Sequence, residues 1–200
     1  ELDNMNDPKR NSDKLQDILS SYFLEYDLTP GLQFKIVEQN GKRMVEQSFS
    51  VPLGEVSVLT KNFGLVKVAV VWIGKIDIIA HYLNALMIVD HKTTTVMGER
   101  FTDDKERSSQ MLGYTYAGRY LSHQVFGDMP VFGVGINALA MRSAGFEFKF
   151  FPIPIADWKV AEWQQETLKS VENVILTLDS FVSDGISVPT REHCVTKYGK

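Results

Sequence analysis

The chain has one cysteine, Cys194. A lone thiol excludes an intramolecular disulfide framework and fits a reducing compartment. It also cannot by itself hold an iron–sulfur cluster, which takes several thiolates. No apolar run is long enough to span a bilayer. The histidines, His81, His91, His123 and His193, lack zinc-type spacing. The glycines between Val131 and Ile136 do not form a dinucleotide-binding fingerprint, because no Gly-x-Gly-x-x-Gly opens a helix there. An excess of positive charge is also missing. There are 21 basic and 25 acidic residues, for a net charge of −4. Any phosphate binding must therefore come from a local basic site, not from the field of the whole molecule.

What is present suits a single globular domain. Two hundred residues with 44% hydrophobic content can bury a sizeable core. The first residue is Glu, not Met, so the chain is expected to be a fragment or a processed product. Residues 65 to 95 dominate the pattern. Two β-branched, apolar runs flank a polar break at Leu83-Asn84, which predicts a β-hairpin. Folding it about the midpoint of that break sets Asp77 opposite Asp90. Opposed side chains in such a pair stand about 5 Å apart at Cβ. Two carboxylates there repel and lose hydration, and a divalent cation between them would relieve both. Lys92, two residues past Asp90, faces the same side. A diagonal Asp77–Lys92 ion pair at an exposed hairpin end is the simpler reading. Ile76, Ile78, Ile79, Met87, Ile88 and Val89 count against it. They make the strand apolar on both faces and hence central, where charges are rare unless paired or metal-bound.

These residues resemble a known family. Gly74-Lys-Ile-Asp77, then Asp90-His-Lys92-Thr-Thr, then Gln110-Met-Leu-Gly-Tyr114 is similar to the PD-(D/E)XK nuclease superfamily. The similarity is to its RecB-like exonuclease branch, which includes CRISPR-associated RecB-like nucleases and many phage exonucleases. It spans residues 40–175.

The resemblance implies an α/β fold with a central mixed sheet flanked by helices. It implies metal-dependent hydrolysis of DNA phosphodiesters by an exonuclease acting on ends or single strands, in recombination, repair or phage DNA processing. Asp77 and Asp90, with the backbone carbonyl of His91, would hold Mg²⁺ or Mn²⁺. Lys92 would position or deprotonate water or neutralise phosphate charge. Gln110 and Tyr114 would orient Lys92 or hold the scissile phosphate. The family adds a His or Glu from a helix before the sheet. No histidine precedes His81, so that ligand is absent, is replaced by Glu46, or lies in a missing N-terminal piece. Cys194 resembles the start of a downstream cysteine cluster, which implies a [4Fe–4S] group only in a longer chain. The implied partners are DNA and a recombination or replication protein. The implied location is the cytoplasm of a bacterial or phage-infected cell, with no membrane role. Two other readings are a nuclease-fold domain that only binds DNA or a protein partner, and a hydrolase of another phosphate substrate.

The remaining elements follow from periodicity. Leu15, Ile18, Leu19, Tyr22, Phe23 and Tyr26 predict a core-facing helix capped by Asn11 or Ser12. Strands at 33–38 and 43–53 join through Asn40-Gly41. Residues 54–64 read as a loop and 97–104 as a polar connection that could track substrate. A helix over 103–121 is capped by Asp103 or Thr102. Residues 130–141 form a buried strand parallel to one hairpin strand. Residues 146–155 form a half-exposed strand whose phenylalanines either pack or stack bases. Asp157 caps a helix to 182 with Leu168, Val171, Ile175, Leu178 and Val182 buried. Trp158 and Trp163 are expected to pack. Arg107 and Arg119 are solvated charges or phosphate contacts.

Overall fold

A computed structural model describes residues 12–28, 34–95, 97–142 and 145–184. Its centre is a mixed sheet. Strand β1 (Lys35–Ile36) pairs with β5 (Gly64–Tyr82), which pairs with β6 (Ala85–Thr94), then β7 (Val131–Arg142) and β8 (Gly145–Pro154). Strand β4 (Val45–Thr60) also pairs with β5. The β6–β7 pair is parallel and the others are antiparallel. The parallel pair needs a crossover, and α2 (Glu99–Glu106) with α3 (Ser109–Val125) supplies it. This is the α/β, helix-flanked mixed sheet expected from the sequence.

Alternating side chains feed two cores. On one face Ile79, Leu86 and Ile88 pack with Met111, Tyr114 and Ala117 of α3 and with Val160 and Trp163 of α4 (Asp157–Asp184). On the other, Ala80, Met87 and Val89 pack with Phe34. Helix α1 (Ser12–Leu28) reaches the sheet through Tyr22, whose ring meets Phe148 edge-on at 5.3 Å. The Tyr22 hydroxyl accepts from Asn137 Nδ2 at 2.7 Å.

Several expectations are corrected. The hairpin through Asn40-Gly41 forms, with positive φ at both residues and β2 (Glu38–Gln39) against β3 (Lys42–Arg43). But β4 does not stop at Leu53. Gly54, at φ 152°, absorbs a register shift, and the strand runs on to Thr60. Residues 54–60 are therefore strand, not loop. Thr102 and Asp103 cap nothing. They lie inside α2, and a separate α3 begins at Ser108, whose side chain accepts from the Met111 N–H. Asp157 is the first residue of α4 and pairs with Arg119 at 2.7 Å. The first turn closes instead on the Ala156 carbonyl. The α1 stripe is not buried: Ile18 is, but Leu19 and Phe23 are exposed. Leu178 and Val182 of α4 are exposed as well, and so is Trp158.

One contact ties the far end of the sheet to α4. The Asp179 carboxylate accepts from the Lys61 and Asn62 N–H groups, at 2.7 and 3.0 Å, in the turn joining β4 to β5. Burial alone would raise its pKa, but these backbone donors and the Asn62 side chain outweigh that and lower it. A lowered folded pKa gives stability that is present above the ordinary carboxylate range and is lost as pH falls through the folded value. Asp179→Ala is expected to accelerate amide exchange at Lys61 and Asn62 at neutral pH. In the native chain the same protection is expected to fade only in acid.

Candidate active site

The site lies where two strands part. Strands β5 and β6 pair from the Tyr82–Ala85 turn down to Ile78 opposite Val89. The next level of that register is Asp77 and Asp90, and there the ladder stops. From this level β6 continues beside β7 as far as Thr94, while β5 runs on beside β4. The fork leaves backbone groups without a strand partner. The Asp77 carboxylate fills one place by accepting from the His91 N–H, Oδ2 to N 3.0 Å. The same level carries a change of face. Ile76 and Ile79 join the α3-side core, whereas Ile78 packs on the other side. Strict alternation would put Ile76 and Ile78 together, so the backbone is irregular at Asp77. On the adjoining strand Glu46, bracketed by Val45↔Ile78 and Gln47↔Ile76, has φ 54°.

Asp90 is 2% exposed. Lys92 Nζ lies 3.1 Å from its Oδ1 in hydrogen-bond geometry and 2.8 Å from its Oδ2. The Oδ2 approach is closer, but its angles do not make a hydrogen bond, and Oδ2 is left buried with a lone pair unused. A buried carboxylate oxygen with no donor is costly and uncommon. Burial raises the Asp90 pKa above the ordinary value; Lys92 opposes that rise, and the nearby Asp77 charge adds to it. The two aspartates thus feel each other, as the sequence register requires.

Helix α3 packs over this part of the sheet. Tyr114, nearly buried, donates its hydroxyl proton to the Lys75 carbonyl at 2.9 Å, and Gln110 Nε2 donates to the Tyr114 oxygen at 3.0 Å. The ring packs edge-on against Phe49. Burial raises the Tyr114 pKa, with Gln110 opposing and the charges of Asp90 and Asp77 adding to the rise. Tyr114, held by Gln110, therefore lies within electrostatic reach of both aspartates. Their hydrogen bonds run to each other and to the β5 backbone, not to Lys92, which was one of the two expected partners beside the scissile phosphate. The anchoring carbonyl of Lys75 had no signal in the sequence, because main-chain acceptors carry none.

Glu46 is not gathered into the cluster. It is exposed and ion-paired with Lys75. Among the described residues no group of three or more His, Cys, Asp or Glu side chains converges as a metal cage. Two carboxylates stand at the fork, and the motif resemblance adds the His91 carbonyl as a third oxygen donor. Hard oxygen donors of this kind suit Mg²⁺ or Mn²⁺, which bind through one or two carboxylates and keep several waters. The unused Asp90 Oδ2 is the atom that fits such an ion best. Cys194 lies outside the described residues. Arg119 is committed to Asp157 and to the Ile155 carbonyl. Phe148 and Phe150 pack on Tyr22 and Phe34. A cleft of about 440 Å³ opens between Arg107, Trp158, Lys159 and Trp163. It lies between the end of α2, Leu112 of α3 and the first turns of α4, and neither aspartate lines it.

No protein-family profile matches the chain, and no curated protein matches it. A solved structure described as "Crystal structure of SSO0001" is similar at 14% identity. The match covers 87% of this chain and 70% of that one, with a TM-score of 0.30. Likeness at that level bears on neither fold nor function. Among the described residues no helix is long and apolar enough to cross a membrane.

Proposed function

We propose that this chain is a metal-dependent deoxyribonuclease of the PD-(D/E)XK kind, acting on DNA ends or single strands. The observation that carries the reading is the buried Asp90 carboxylate at the strand fork, with both oxygens close to Lys92 Nζ and one of them lacking a hydrogen-bond donor. Beside the Asp77 carboxylate, an oxygen without a hydrogen-bond donor is placed to take a cation. The choice of DNA, and of exonuclease action in recombination, repair or phage DNA processing, comes from the motif resemblance.

The residues divide the chemistry as follows. Asp77, Asp90 and the His91 carbonyl would hold Mg²⁺ or Mn²⁺, which supplies water activation and stabilisation of phosphate charge when bound. Asp90 holds the Lys92 ammonium in place. That cation can offset negative charge on the phosphate oxygens or hand a proton to or from water. Tyr114 and Gln110 fix the α3 side of the pocket, and the Gln110 amide can also meet a phosphate oxygen. The hydrogen bond from His91 N–H keeps the Asp77 carboxylate turned into the fork.

A nuclease-fold domain that binds DNA or a protein partner without cutting is the second reading. The Glu46–Lys75 pairing favours it, because only two carboxylates then converge. The test is digestion of 5′- and 3′-labelled single- and double-stranded DNA with Mg²⁺ or Mn²⁺, beside a chelator control. Metal-dependent loss of label is expected, and its order of appearance gives polarity. DNA binding without digestion would replace the first reading with the second.

A further inference from the structure

Strands β4 and β5 extend beyond the fork as a two-stranded arm. One face is covered: Val56, Val58 and Thr60 are buried, and the Gly54 backbone approaches Leu168 of α4. Among the described residues nothing covers the other face. From the tip inward its levels are Leu59 with Leu65, Ser57 with Lys67, Glu55 with Ala69, Pro52 with Val71 and Ser50 with Ile73. All ten residues are exposed, with Leu59, Leu65, Val71 and Ile73 at 76, 61, 55 and 67%. Contiguous exposed apolar surface of this kind marks an interaction site.

The order of the levels indicates the partner. The four levels outside Ser50 and Ile73 run apolar, basic, acidic, apolar. Reversed, they run apolar, acidic, basic, apolar. A copy laid antiparallel over the first sets apolar levels on apolar levels, and Lys67 against Glu55 in both directions. A surface complementary to itself is what a two-fold interface needs. We propose that the outer face of the β4–β5 arm binds the same face of a second copy of this chain.

Other modes of docking fit less well. Edge-to-edge strand addition is blocked near the middle of β4. Pro52 has no N–H, its carbonyl accepts from Tyr116 at 2.7 Å, and the Leu53 carbonyl accepts from Gln164 at 2.6 Å. A nucleic acid backbone or an anionic membrane would meet one lysine set beside one glutamate. The arm is also rigid in advance, since Asp179 fastens its tip, and so little ordering is left to do on binding. The patch is smaller than the roughly 20–30 residues per side of a standard interface, so a dimer in the micromolar range is expected.

Sedimentation equilibrium over a micromolar concentration series tests this independently of any nuclease activity. The native chain is expected to move from monomer toward twice its mass. Val71→Asp is expected to remain monomeric. Lys67→Glu and Glu55→Lys, both at exposed sites that leave the fold intact, are each expected to weaken association about tenfold. The double reversal is expected to restore it. A native chain that stays monomeric would overturn the proposal. So would a dimer indifferent to Val71→Asp, or reversals whose combination rescues nothing.

Discussion

Asp90→Asn is expected to abolish metal-dependent cleavage and yet leave the fold at least as stable as the native chain. The loss should be about 10³-fold or more, on the order of 4 kcal/mol of barrier, because the change removes an ionic oxygen donor at the heart of the site. The stability half of the prediction comes from the raised Asp90 pKa. A carboxyl whose pKa is raised by folding keeps its proton longer in the folded state than in the unfolded chain. Its contribution is therefore favourable in acid and is lost as pH rises from the ordinary carboxylate range through the raised folded value. At neutral pH the charged group opposes folding, with Lys92 offsetting part of the cost. Asparagine has the same shape and no such charge, and Lys92, a quarter exposed, can turn to water once its partner is gone. Denaturant melts across pH 3 to 8 check this. If Asp90→Asn unfolds the chain at pH 7, Asp90 is a structural ion-pair partner. A functional site that costs stability is the signature sought.

The second large effect concerns the strand that supports β6. Gly133 in β7 has φ 136°, a conformation L side chains rarely adopt, and it sits where the β7 pairing with β6 is irregular. A Cβ there would lie 2.5 Å from the Ile153 carbonyl oxygen and 2.8 Å from the Ile155 nitrogen. Both obstacles are backbone, so no rotamer change relieves them. Backbone strain and overpacking each cost about 1–3 kcal/mol. Gly133→Ala is expected to lose about 3 kcal/mol, which lowers Tm by roughly 10 °C in a domain of this size. Thermal unfolding followed by circular dichroism measures it. An unchanged Tm would mean that β7 and β8 are not held as closely as the structure has them.

The central hairpin was legible in the sequence because β-branched runs and a polar break fix register, and register fixes which residues meet. The observed pairs Ile78↔Val89 and Tyr82↔Ala85 lie on the predicted fold line. The parallel β7 was readable for a similar reason, as an apolar run following a helix. The fork itself was not readable. Strand separation depends on what each strand finds next to it in space, and the apolar run from Leu65 to Ile73 looks buried on both faces. The structure covers one face only. The break between α2 and α3 was hidden because Thr102 and Asp103 make as good a cap by composition as Ser108. Only the Ser108–Met111 hydrogen bond separates them. Glu46 shows the limit of spacing arguments. It stands level with Asp77 on the next strand, yet Lys75 takes its carboxylate.

The most direct test of the account is a Mn²⁺ titration by calorimetry of the native chain, Asp77→Asn and Asp90→Asn, without nucleic acid. The account predicts binding of Mn²⁺ to the native chain that is lost in both variants while their folds persist. Binding that survives both substitutions, or no binding at all, would contradict a metal site at the fork.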